Sequence, residues 1–142
     1  VKPECPYCGR AAHLVSGDVV YPHRSDLAHL KFWRCAPCKA YVGCHRRGVW
    51  VHDALGDTVV SDGTLPLGSL ANGPLRQLRT QAHAAFDGIW KSGSLGRDVA
   101  YAQLAAYMDI PTVQCHIAMF DEEQCRDVIK AAEEFWKELR RA

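Results

Sequence analysis

At 142 residues, with 48% hydrophobic and 23% charged residues, the chain has the size of one domain or of a small metal module fused to a small helical one. A formal net charge of +1 excludes a protein that coats nucleic acid indiscriminately, and no run of about 18 apolar residues offers a membrane span. Seven cysteines, an odd number, suit a reducing compartment better than a disulfide framework; the N-terminus also lacks the charged-then-apolar order of a secretory signal, so the cytoplasm is the expected location.

The first element is a metal-binding turn. Cys5-Pro6-Tyr7-Cys8 and Cys35-Ala36-Pro37-Cys38 each place two residues between two cysteines, so both sulfurs of a turn can reach one ion. Two such turns complete a tetrahedron of thiolates, the ligand set of structural zinc, which takes four sulfurs at about 2.3 Å and leaves no open position. Gly9 follows the first pair, where positive φ lets the chain turn back and aim amides at sulfur. One structural zinc ion held by Cys5, Cys8, Cys35 and Cys38 is therefore expected.

Between the pairs, the Val- and Leu-rich stretch from His13 to Tyr21 reads as a strand, and Leu27 to Trp33 as a second one. Pro22 to Asp26 makes the turn between them, and Ala40 to Gly43 is a third short strand. Such a small sheet buries too little apolar surface to fold alone, which couples its folding to metal binding. Residues 1–48 form this zinc ribbon, 49–72 a loop-rich connector or insertion, and 73–142 a helical domain. Within the connector, Val49 to His52 and Thr58 to Val60 are placed to pair across residues 53–57.

The C-terminal half carries helical periodicity. Pro74 opens a helix with Leu75, Leu78, Ala82, Ala85, Phe86 and Ile89 on its apolar face, running through Trp90 to a break at Gly93 and Gly96. A second helix spans Arg97 to Met108. A last one starts at Asp121, with Gln124 three residues on as a capping box and Phe120 placed to staple onto Cys125. Between these two, Pro111 forbids simple continuation and Thr112 can cap a short helix through Met119. The order Tyr101, Ala105, Asp109-Ile110, Cys115, Ala118 fits a helix-turn-helix template with Asp109 at the turn, a residue that tolerates left-handed φ better than most. The fold class is α+β: an N-terminal four-cysteine ribbon packed on a C-terminal bundle of three to four helices.

Several motifs line up together: Cys5-Pro6-Tyr7-Cys8-Gly9, Trp33-Arg34-Cys35-Ala36-Pro37-Cys38, Tyr41-Val42-Gly43-Cys44-His45, Leu75-Arg76-Gln77-Leu78-Arg79, Ala82-His83-Ala84-Ala85-Phe86-Asp87 and Cys115-His116-Ile117. In combination they resemble a family of phage and prophage proteins known as zinc-finger-containing domain proteins, over most of the chain. The resemblance implies a metal site and carries no catalytic role. Val49 to Asp62 looks like an insertion relative to that pattern.

From Lys31 to Arg47 there are five basic residues (Lys31, Arg34, Lys39, Arg46, Arg47) and no acidic one, whereas from Asp121 onward acids outnumber bases. Nucleic-acid binding, DNA first, is the expectation. Zinc holds the turns, the five cations meet phosphate with Trp33 and Tyr41 available to pack or stack, and Gln114 and His116 serve as base readers. Arg76 and Arg79 extend the basic surface or form a solvated face. The alternative is an adaptor or inhibitor that docks on a host protein complex. A metal-dependent hydrolase comes third, because it needs a second site from Cys115, His116, Cys125 and His83, and adjacent helical residues point about 100° apart. His83, Asp87 and Trp90 share a helical face, but no nucleophile stands near them in sequence, and the chain is not expected to be an enzyme.

Overall fold

The strand Lys31–Cys35 (β2) is the centre of the N-terminal part, because it carries one zinc-turn cysteine at its end and pairs on both sides. A computed structural model describes residues 2–52, 56–93 and 95–141. The chain divides into two compact units, 1–73 and 74–142. In the first, β2 lies between His13–Ser16 (β1) and Ala40–Gly43 (β3), antiparallel to each. The register aligns Leu14, Trp33 and Val42 on one face and His13, Arg34 and Tyr41 on the other.

The first face closes a small core of Cys5, Ala12, Trp33, Cys35, Ala40, Val42 and Leu70. Trp33 is only 8% exposed, and its indole N–H donates to the Thr64 carbonyl at 2.7 Å. Of the two roles open to Trp33, packing or stacking, it takes packing. On the opposite face Tyr21, Phe32 and Tyr41 stack edge to face, with ring centroids 5.7–5.8 Å apart. A returning segment runs beside β3, where Tyr41 and Ala71 exchange both backbone hydrogen bonds at 3.1 Å and Leu67 N–H reaches Gly43 at 2.9 Å.

The expected first strand is half right. It ends at Ser16, and Gly17–Val20 forms a short helix, α1, despite two valines. Gly17 donates to the Leu30 carbonyl at 2.8 Å and is pressed so closely on the Leu27 carbonyl that a Cβ would sit 1.8 Å from its oxygen. The chain turns at the one residue that fits there, and local β propensity loses. The second strand likewise begins at Lys31 because Ser25–Leu27 makes a 3-10 turn.

Trp50–His52 (β4) and Thr58–Val60 (β5) pair antiparallel as a separate hairpin. Its base is fastened by Ser61, 2% exposed, whose hydroxyl donates to the His45 carbonyl and accepts from Gly63 N–H. The outward face presents Trp50, 69% exposed, beside Val60.

The second unit holds Gly73–Lys91 (α2), Arg97–Met108 (α3) and Glu122–Arg141 (α4). Phe86, Ile89, Leu104, Ile117, Phe120 and Val128 are its largest fully buried side chains apart from cysteine. Asp121 and Gln124 close the expected capping box: the Asp121 carboxylate accepts from Gln124 N–H at 2.8 Å, and Gln124 Oε1 accepts from Asp121 N–H at 3.1 Å. α3 ends in left-handed Asp109 (φ 56°), with Ile110 N–H on the Ala105 carbonyl and Asp109 N–H on that of Ala106, a Schellman close.

Two expectations are corrected here. Thr112 to Met119 is not one helix but two 3-10 turns, Thr112–Gln114 and Ile117–Met119, separated by an extended His116. Cys115 and Ile117 are both buried, and residues two apart on an α-helix point about 200° from one another, so the break lets both face inward. No recognition helix presents Gln114 and His116. Arg79, read as part of a basic or solvated face, is 9% exposed and donates from Nε to the Phe120 carbonyl at 3.0 Å, holding the approach to α4.

Candidate metal centre

Both cysteine pairs sit at the ends of hairpins, which is why they can meet. Residues 3–12 fold back on themselves, with a Glu4–Ala11 bridge and Ala12 N–H on the Pro3 carbonyl at 2.8 Å. At their tip Cys5 N–H bonds the Arg10 carbonyl and Gly9 N–H the Cys5 carbonyl, each at 2.8 Å, with Gly9 at φ 77° as its position after the pair requires. The second pair occupies the β2–β3 turn, where Lys39 takes the left-handed conformation (φ 53°) that Gly9 takes in the first. Lys39 gave no signal in the sequence, since only its place after Cys38 marks it.

The four sulfurs lie within 4.8 Å of one another, and the Cys8 and Cys35 sulfurs are 3.7 Å apart. A tetrahedral zinc site with bonds of about 2.3 Å separates its sulfurs by about 3.8 Å, whereas a disulfide needs about 2.05 Å. The geometry is that of a closed four-thiolate zinc site. Cys5 and Cys35 are buried in the ribbon core, Cys38 is half-buried and Cys8 faces out.

The electrostatics agree. The Arg10 amide beside its sulfur holds the Cys8 thiol below its ordinary value. Burial, followed by the neighbouring thiols of Cys35, Cys8 and Cys5, pushes Cys38 up to about 12. The Cys38 amide pulls the Cys35 thiol down, but burial and the Cys5 and Cys8 thiols outweigh it and leave it raised. Once one of four sulfurs this close is ionised, it opposes the ionisation of its neighbours, as at Cys35 and Cys38. A dication held by Cys5, Cys8, Cys35 and Cys38 would reverse that balance and favour all four as thiolates. With every position filled by sulfur, zinc there serves as a crosslink and has no site for water or substrate.

Cys44, like Cys38, packs against the ribbon core, but it is not among the clustered sulfurs. His45 is half-buried, with its N–H on the Leu65 carbonyl, and burial lowers its pKa, which keeps the ring neutral. Among the described residues the four-sulfur cluster is the only group of metal-ligating side chains assembled. Cys115, His116, Cys125 and His83 are not brought together. Cys115 and Cys125 are buried with raised thiol pKa values, and His83 instead pairs with Asp87 at 3.1 Å as its helical spacing predicts.

The five ribbon cations are distributed rather than gathered. Lys31 and Arg34, three apart on β2, face opposite sides of the sheet, Arg34 lying in register between His13 and Tyr41. Lys39 stands on the second zinc turn, and Arg46 and Arg47 follow β3, all three exposed. Among the described residues none of the five is in an ion pair, although Arg24, Arg126 and Lys137 are.

A family model of a zinc-finger-containing domain matches residues 1–135, and the chain belongs to that family. No curated protein and no solved structure matches it.

Proposed function

We propose that this zinc-finger-containing domain binds nucleic acid, DNA first, as an accessory protein of the phage type that its sequence motifs resemble, in the reducing cytoplasm of a bacterial host. One observation carries the reading: Lys31, Arg34, Lys39, Arg46 and Arg47 make no ion pair among the described residues, Asp62 acting on Arg47 only from beyond ion-pair distance. A cation outside any ion pair is available to a phosphate, and each phosphate contact to duplex DNA releases counterions. Zinc does no chemistry in this reading. It fixes the turn that carries Lys39 and the strand that carries Lys31 and Arg34, so the cations are positioned before binding.

The test is a salt titration of fluorescence anisotropy with duplex and single-stranded oligonucleotides. The logarithm of the affinity for duplex should fall linearly with the logarithm of salt, with a slope of up to about 4.5 if all five cations engage. Replacing Lys39, Arg46 and Arg47 by alanine should weaken binding and flatten that slope. Absence of binding at low salt rejects the reading.

A second reading, a protein-binding adaptor, is favoured by the exposed Trp50 and Val60 on the outward face of the β4–β5 hairpin. In that case Trp50→Ala abolishes capture of a host protein, and the ribbon cations are dispensable.

A further inference from the structure

We infer that the four-sulfur site is a peroxide-sensitive switch: hydrogen peroxide oxidises Cys8, Cys35 closes a disulfide with it between the two turns, and the metal is released. The switch operates whichever partner the ribbon binds. Its basis is how unevenly the cysteines are covered. Cys5 and Cys35 are buried and Cys38 is half-buried, whereas Cys8 is exposed. The three cysteines outside the cluster offer no earlier target, since Cys44 is half-buried and Cys115 and Cys125 are buried in the helical unit. Cys8 is thus the one exposed cysteine of the seven. An oxidant arriving from solvent meets it first, and a zinc ligand is held as thiolate, the form that a peroxide oxidises.

The second sulfur is already in place. The Cys8 and Cys35 sulfurs are 3.7 Å apart, and they belong to different turns. A disulfide needs about 2.05 Å, so the pair has to close by about 1.7 Å. Cys35 is fixed at the end of β2, in register with Ala40, so the movement falls to exposed Cys8. Cys44 lies outside the group of sulfurs that approach within 4.8 Å, which leaves the partner to come from inside the cluster.

The chemistry balances with peroxide as the sole oxidant. The Cys8 thiolate attacks one peroxide oxygen: an S–O bond forms, the O–O bond breaks, and the other oxygen takes a proton from solvent and leaves as water. The Cys35 thiolate then attacks the Cys8 sulfur: the S–S bond forms, the S–O bond breaks, and the second oxygen leaves as water with a second solvent proton. Two electrons pass from the sulfur pair to the peroxide. Only Cys5 and Cys38 then remain as thiolates, half of the ligand set that structural zinc takes. A dithiol that reduces the bond restores all four.

The test is peroxide treatment of the zinc-loaded full chain, read by a chromophoric zinc indicator and by peptide mass mapping, with and without dimedone to trap sulfenic acid. Zinc should enter solution as the Cys8–Cys35 disulfide forms, dimedone should capture Cys8, and Cys44, Cys115 and Cys125 should remain thiols. A dithiol should return the metal to the chain. Cys8→His keeps a nitrogen ligand and removes the exposed sulfur, so its release of zinc should slow at least about tenfold. Where that variant binds no zinc, the dimedone map of the parent chain decides. Cys44→Ser should release zinc like the parent. Dimedone on another sulfur, a disulfide closed within one turn, or zinc retained after Cys8 is oxidised overturns the switch. So does a Cys8→His chain as fast as the parent, or a Cys44→Ser chain that is slowed.

Discussion

Replacing Gly17 by alanine should damage both the ribbon and its metal affinity. A Cβ at this position would lie 1.8 Å from the Leu27 carbonyl oxygen and 2.7 Å from its carbon, against a floor of 3.0 Å for real contacts, so the backbones must separate by over an ångström. That separation pulls on two hydrogen bonds, Gly17 N–H to Leu30 at 2.8 Å and Leu30 N–H to Leu27 at 3.1 Å. At about 1 kcal/mol for each bond and at least about 1 kcal/mol for the overpacking, the loss is at least about 3 kcal/mol. Gly17 directly follows β1, which pairs with the strand bearing Cys35, so destabilising one end of the sheet is felt at the sulfurs. Where folding and binding are one equilibrium, about 3 kcal/mol corresponds to about a hundredfold weaker zinc affinity. The assay is competition against a chromophoric zinc chelator, with thermal melting alongside. Gly96→Ala is the control, because a Cβ there meets nothing within 4 Å. A Gly17→Ala chain that melts and competes for zinc like the parent would refute the packing argument.

Chelation should dismantle the ribbon and leave the helices: α2, α3 and α4, of 19, 12 and 20 residues, contain no zinc ligand, so the far-ultraviolet helical signal survives while proteolysis digests residues 1–73. Loss of the helical signal together with the metal would contradict this. Asp121→Ala removes the acceptor of the Gln124 amide and should cost about 1 kcal/mol by denaturant unfolding; a change near zero would mean the cap contributes nothing. Alkylation at pH 8 of the native zinc-loaded chain should spare Cys115, because burial raises its pKa to about 11 and leaves about one thiol in a thousand ionised. Mass spectrometry that found Cys115 modified as fast in the native as in the unfolded chain would sink that expectation.

The parts of this fold legible in the sequence are those specified by neighbours a few residues apart. The zinc turns, the Asp121–Gln124 box, the left-handed Asp109 and the limits of α3 depend on local chemistry alone, and each appears as read. The β4–β5 pairing also appears, although residues 53–55 of its connection lie outside the described residues. What escaped the sequence depends on distant partners. Val19 and Val20 favour a strand, and only the Leu27 carbonyl ten residues beyond Gly17 forces the turn into α1. The burial of Trp33 rests on Thr64, 31 residues away, and that of Arg79 on Phe120, 41 residues away. The stretch from Thr112 to Met119 carries helical cues, yet two inward-facing residues two apart overrule them. At the metal centre the ligands were readable because their spacing is the signal. The scatter of the five cations was not, because sheet register decides which side each one faces.

X-ray absorption at the zinc edge of the purified protein probes the sulfur cage directly. The expected spectrum is a single shell of four sulfurs at about 2.3 Å with one zinc per chain. A shell containing nitrogen or oxygen, or a folded ribbon without zinc, would contradict the four-thiolate crosslink on which this account rests.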